Sequence, residues 1–99
     1  MSRATDLILS RLHADLDVER LALELDMSPS YFRSVFRRTF GQSARSMHRQ
    51  ARMREGCSLL VYQNQSINTI AETLGFCAVH NFARAFKDVI GVSPGAYGK

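Results

Sequence analysis

Cysteine is scarce in this chain: Cys57 and Cys77, twenty residues apart, are the only two. They make neither a disulfide framework nor the paired spacing of a zinc module. Long apolar runs are missing too, and none approaches the ~20 residues that a membrane-spanning helix needs. The opening Met1-Ser2-Arg3-Ala4-Thr5-Asp6 lacks the apolar core of a signal peptide, so a cytoplasmic location is expected. His13, His48 and His80 do not show metal-ligand spacing, and no carboxylate pair stands out for acid–base work. The string Gly91-Val92-Ser93-Pro94-Gly95 matches a nucleophile elbow, but that elbow requires a preceding strand and an amphipathic helix precedes it here. Ser93 therefore reads as a helix cap. No enzyme, metal or cofactor is expected.

What is present fits one small folded domain: 99 residues, 45% hydrophobic and 22% charged. Charge is segregated along it. Residues 1–26 carry a net charge of −3, residues 27–54 carry +7, and residues 55–99 sum to zero. The middle block holds Arg33, Arg37, Arg38, Arg45, Arg49, Arg52 and Arg54 without a single acid. Such a block suits a polyanion partner, although charge alone also fits arginines that merely solvate helix surfaces.

Strand-type alternation is rare, while helical spacing recurs along most of the chain. A first helix is expected over about residues 4–13, with Leu7, Ile8 and Leu12 near one face. Val18, Leu21, Ala22 and Leu25 mark a second helix, capped by Asp17. Ser28-Pro29 opens a third, which buries Phe32, Val35, Phe36 and Phe40 and stops at Gly41. Residues 43–62 form a longer segment. Ser66 caps the next helix, and a further one after Gly75-Phe76 buries Phe82, Ala85, Phe86, Val89 and Ile90. Ser93-Pro94 opens a last short turn.

These elements repeat. Val18, Leu21, Ala22 and Leu25 recur 49 residues later as Ile67, Ile70, Ala71 and Leu74. Phe32, Val35, Phe36, Phe40, Gly41 and Ser43 recur 50 later as Phe82, Ala85, Phe86, Ile90, Gly91 and Ser93. The chain thus divides into a first helix-turn-helix subdomain (5–41), a linker helix (43–62) and a second subdomain (66–98) within one domain, 1–99. The second helix of such a unit can enter a DNA major groove. Away from the apolar stripe, the first candidate carries Ser30, Arg33, Ser34 and Arg37; the second carries His80, Ala83, Arg84 and Lys87. No acid is expected on either outer face, whereas a merely solvated helix would mix charge signs. Twenty linker residues rise about 30 Å, close to the ~34 Å between successive major-groove faces.

The stretch Ile67-x-x-Ile70-Ala71-x-x-Leu74-Gly75-Phe76, then Phe82-x-Arg84-x-Phe86-Lys87, then Gly91-Val92-Ser93-Pro94-x-x-Tyr97 resembles the DNA-binding domain of AraC/XylS transcription regulators. Leu21-Ala22, Met27-Ser28-Pro29-Ser30-Tyr31 and Phe36-Arg37-Arg38-x-Phe40-Gly41 agree, and the likeness covers residues 5–98. It implies an all-α fold of seven helices, with two helix-turn-helix subdomains joined by a long linker helix. It also implies sequence-specific binding of double-stranded DNA, with two recognition helices in successive major grooves of an asymmetric site. Carried over by residue, Ser30, Arg33, Ser34, His80, Asn81 and Arg84 would meet base edges. Arg37, Arg38, Arg49, Arg52 and Lys87 would meet phosphates. The resemblance points to the C-terminal domain of a larger ligand-responsive regulator, with RNA polymerase as a further partner. It also implies a nucleoid location when DNA-bound. In isolation a monomer is expected, since the two cores absorb the apolar stripes and leave no heptad seam; a missing N-terminal domain is the expected route to oligomerisation.

Some positions depart from the pattern. Asp26 stands where the first turn commonly has glycine and must take a left-handed conformation. Gly56 interrupts the linker helix and reads as a close-packing position. Cys77 occupies the expected cap of the last recognition helix, and Gly98 replaces a frequent terminal basic residue. Both cysteines read as small buried fillers. The competing function, a helical protein-interaction module without DNA binding, is disfavoured by the seven arginines of residues 27–54.

Overall fold

The structure, a computed structural model, describes residues 1–98; Lys99, the last residue of the expected domain, lies outside them. Helix α1 spans Ser2–Leu9, ending before the expected residue 13. Just beyond it Arg11 pairs with Glu24, its guanidinium donating to both carboxylate oxygens at 2.6 and 2.9 Å. That hydrogen bonding holds the Glu24 carboxyl below its usual range.

The remaining helices begin where the caps predict. Asp17 accepts the Arg20 N–H to open α2 (Val18–Glu24), and Ser28 accepts that of Tyr31 to open α3 (Pro29–Phe40). Ser43 opens α4 (Ala44–Val61), Ser66 opens α5 (Ile67–Thr73), and Ser93 opens α7 (Pro94–Tyr97), each through its side chain. Helix α6 (Val79–Ile90) differs: its N-cap is Ala78, which has no side chain to accept a bond. Gly41 and Gly91 end α3 and α6 in left-handed conformations, with φ 74° and 100°.

The sequence repeat is a structural repeat at its turns. After α2, Asp26 takes φ 59°; after α5, Gly75 takes φ 80°. In the first turn the Met27 and Asp26 N–H groups return to the carbonyls of Ala22 and Leu23. In the second, those of Phe76 and Gly75 return to Ala71 and Glu72. Both are Schellman closures. The one-residue length difference follows immediately: Met27 alone separates the left-handed residue from its N-cap in unit one, while Phe76 and Cys77 separate them in unit two. Cys77 is therefore the inserted residue and not the cap, and it is exposed rather than a buried filler. Cys57 is half-buried.

Two apolar clusters form the interior. Ile8, Leu16, Val18, Leu21, Ala22, Phe32, Phe36 and Ala44 pack together in the first, joined by Ala4. Met53, Leu59, Ile70, Ala71, Leu74, Phe82 and Phe86 form the second. Phe32 and Phe36 stand 5.6 Å apart between ring centroids, as do Phe82 and Phe86. Helix α4 contributes Ala44 to one cluster and Met53 and Leu59 to the other. Gly56 lets the Phe82 ring lie against its backbone, since a Cβ there would meet Cε1 and Cζ of that ring at 3.3 Å. The described residues form an elongated body of 42 × 22 × 21 Å. None of their helices is long and apolar enough to cross a membrane.

Candidate nucleic-acid interface

Burial of Phe32 and Phe36 on one side of α3 forces Ser30, Arg33, Ser34, Arg37 and Arg38 outward, and all five are exposed. No acid lies on this helix. Arg38 Nη2 donates to Ser34 Oγ at 3.2 Å, which orients the hydroxyl and leaves its own proton free to be donated. Arg33 stands 4.0 Å from Glu19, at the limit of an ion pair, with both side chains largely in solvent. Such a pair holds the arginine weakly.

The same logic on α6 exposes His80, Asn81, Arg84 and Lys87 opposite Phe82 and Phe86, while Ala83 is half-buried. One expectation fails. Asp88, a turn beyond Arg84, is an exposed acid on the outer side of α6, at the position equivalent to Arg38. It is offset by Arg49 of α4, whose Nη2 lies 3.2 Å from its carboxylate.

Helix α4 carries cations between these two surfaces. A cleft of about 290 Å³ brings Arg33 and Arg37 of α3 together with Ser43, Ala44 and Arg45 at the start of α4. Arg45 also lines two neighbouring clefts, one with Asp15, Asp17, Glu19 and Arg33, the other with Asp15, His48, Arg49 and Arg52 and with Ala85 of α6. Arg45 lies outside both helix-turn-helix units, so the repeat does not single it out. Its place in the acid-free block, two residues past the Ser43 cap, was the available signal. Cations at a helix N-terminus cost stability unless an anion faces them, because that end already carries partial positive charge.

Arg52 requires a correction. It was expected on phosphate but is buried, only 5% exposed. Its guanidinium donates to the Leu74 carbonyl and to Asp15, and lies over the Phe76 ring. Three of its five N–H groups are taken by the protein itself.

A family model described as a helix-turn-helix domain matches residues 21–99. The chain belongs to the AraC family. This AraC-type domain is 31% identical over 86 residues to the MmsAB operon regulatory protein of Pseudomonas aeruginosa, covering 87% of this chain and 28% of that one. Among solved structures it resembles the C-terminal domain of AraT, a response regulator from Geobacillus stearothermophilus. That match has a TM-score of 0.92 and 33% identity, covering 98% of this chain and 81% of the other. It is also similar to the DNA-binding domain of AdpA, a global transcriptional factor solved in complex with a target DNA. There the TM-score is 0.88 and the identity 28%, covering 98% and 87% of the two chains. The domain spans about a third of the length of the curated relatives it matches, with shares of 28, 33 and 32% for three of them. It is a DNA-binding helix-turn-helix domain of transcription regulation and not an enzyme.

Proposed function

We propose that this AraC-type domain reads one asymmetric duplex site through two units, residues 5–41 and 66–98, held by the helix between them. Ser30, Arg33 and Ser34 meet base edges in one major groove, and His80, Asn81 and Arg84 do so in the next. The observation that carries this reading is the exposed polar face on both α3 and α6, opposite phenylalanines that are wholly buried. Arg37, Arg38 and Lys87 hold phosphates, joined by Arg45. Arg49 contributes less, because Asp88 already neutralises it.

The domain acts as the C-terminal part of a larger ligand-responsive regulator, monomeric alone, with an N-terminal domain as the route to oligomerisation. Support comes from the small share of its relatives that it spans and from the similar AraT structure, itself a C-terminal domain. Its place is the cytoplasm, on the nucleoid when bound, with RNA polymerase as the further partner. Selection of bound sequences from a random duplex pool tests the reading. Enrichment of two sequence blocks about one helical turn apart is expected. A single enriched block, or no retention of duplex at low salt, refutes it, the latter favouring a protein-interaction module.

A further inference from the structure

The two halves of the molecule meet at a small polar junction. The turn after α5 lies so close to the segment after α1 that a Cβ on Gly75 would overlap the His13 carbonyl oxygen. On α4, His48 Nε2 holds the Arg11 carbonyl at 2.7 Å. One turn further along, Arg52 grips both sides. Its Nε and Nη2 donate to the Leu74 carbonyl, the former at 3.1 Å, and Nη1 donates to Asp15 Oδ1 at 2.8 Å. The guanidinium carbon sits 4.1 Å from the Phe76 ring centroid.

Each partner supplies what the other lacks. A buried cation is tolerated only when its N–H groups are satisfied. Leu74 is the C-cap of α5, and the carbonyls of a helix end have no partner within the helix. A cation there also faces the negative end of the helix dipole. The Asp15 side chain is 90% exposed, so solvent screens its ion pair and the Leu74 carbonyl is the firmer anchor. Leu74 to Phe76 leads straight into α6, and Asp15 precedes the cap that starts α2. A group that holds both segments against α4 fixes where each recognition helix points.

We propose that Arg52 is the positioning residue that sets the separation and rotation of the two recognition helices. This inference rests on both helices entering DNA. Its test compares the wild type with Arg52→Met and Arg52→Lys on the selected duplex and on duplexes lengthened or shortened by one base pair between the half-sites. One base pair displaces a half-site by roughly 3.4 Å and 35°. The wild type is expected to lose about tenfold or more in affinity on either altered duplex, comparable to a mismatched pair. Arg52→Met is expected to cut that discrimination to about threefold or less while keeping the base preferences of each half-site. Arg52→Lys, which can still donate to Leu74, should recover part of it. A folded Arg52→Met protein with the wild-type spacing profile overturns the proposal and leaves DNA reading intact. A second measurement needs no variant. Residual dipolar couplings from α2–α3 and α5–α6 of the wild type should fit one alignment tensor, and two different tensors overturn the proposal. Failure of the wild type to bind any duplex refutes the functional reading instead, and the tensor result stands apart from it.

Discussion

Arg84 and Arg52 are the same side chain in opposite settings, and the contrast shows how surroundings assign a role. Arg84 is exposed on α6 near His80, with no ion-pair partner among the described residues. Its planar fork is free to grip guanine O6 and N7 together. Arg84→Ala is expected to cost ~1–3 kcal/mol on the selected site and to relax preference at one or two positions. Equal weakening on all sequences, measured by competition binding, would instead assign Arg84 to the backbone. His48 gives a second prediction at this scale. Burial pushes its imidazole pKa down, against the hydrogen bond to the Arg11 carbonyl, which raises it. That carbonyl can only accept, so Nε2 carries the proton of the neutral ring. The unfolded chain takes up a proton at about 6.5, and the folded protein does so only at lower pH. His48 therefore favours folding fully above about pH 6.5 and progressively less as pH falls through that value. The thermal midpoint should drop between about pH 7.5 and pH 5, and His48→Gln should make the drop shallower. Parallel curves for the two proteins would show that His48 is not its source.

The two recognition helices are alike in length and apolar face but unlike at their starts. Helix α3 has Ser28 accepting the Tyr31 N–H at 3.2 Å and Pro29 in its first turn; α6 has Ala78 and no side-chain cap. Ala78 already has the extended backbone of an N-cap, φ −144° and ψ 147°, so a serine there could bond without rearrangement. Ala78→Ser should stabilise the domain by about 0.5–1 kcal/mol, and Ser28→Ala should destabilise it by about 1 kcal/mol. Denaturant titration of both variants checks this. A destabilised Ala78→Ser protein would mean that the inserted Cys77 holds the helix start in another way. His80 and Asn81 stand in that uncapped first turn. The capping serine should therefore also slow amide hydrogen exchange there.

At the scale of the whole molecule, the charge is unequal between the halves. Arg37, Arg38 and Arg45 lie toward the first half and make no ion pair among the described residues, whereas Arg49 and Asp88 pair at the second. Each phosphate neutralised contributes about −0.9 to the slope of log K against log salt. Glutamine at Arg37, Arg38 and Arg45 together should flatten the slope by roughly two to three units, and Lys87→Gln by about one at most. Sequence preference in the second half-site should survive the triple change, because His80, Asn81 and Arg84 are untouched. A slope change from Lys87→Gln as large as that of the triple variant would refute this asymmetry. It would mean that α6 holds the DNA backbone as firmly as α3 does.

Elements that depend on near neighbours are legible along the chain. Asp17, Ser28, Ser43, Ser66 and Ser93 each cap a helix by accepting an N–H three residues on. Phenylalanines at helical spacing set the buried faces and so exposed Ser30, Arg33, His80 and Arg84. The helix-turn-helix repeat and the acid-free arginine block were legible for the same reason. Pairings between distant residues come from the folded arrangement alone. Arg52 meets Leu74 across 22 positions and Asp15 across 37, and Arg49 meets Asp88 across 39. No periodicity or spacing encodes those pairings. Whether an arginine serves DNA or the protein's own interior depends on which carbonyl or carboxylate the fold brings to it. For Arg52 that partner is the Leu74 carbonyl at the C-cap of α5, left without a donor where the helix ends.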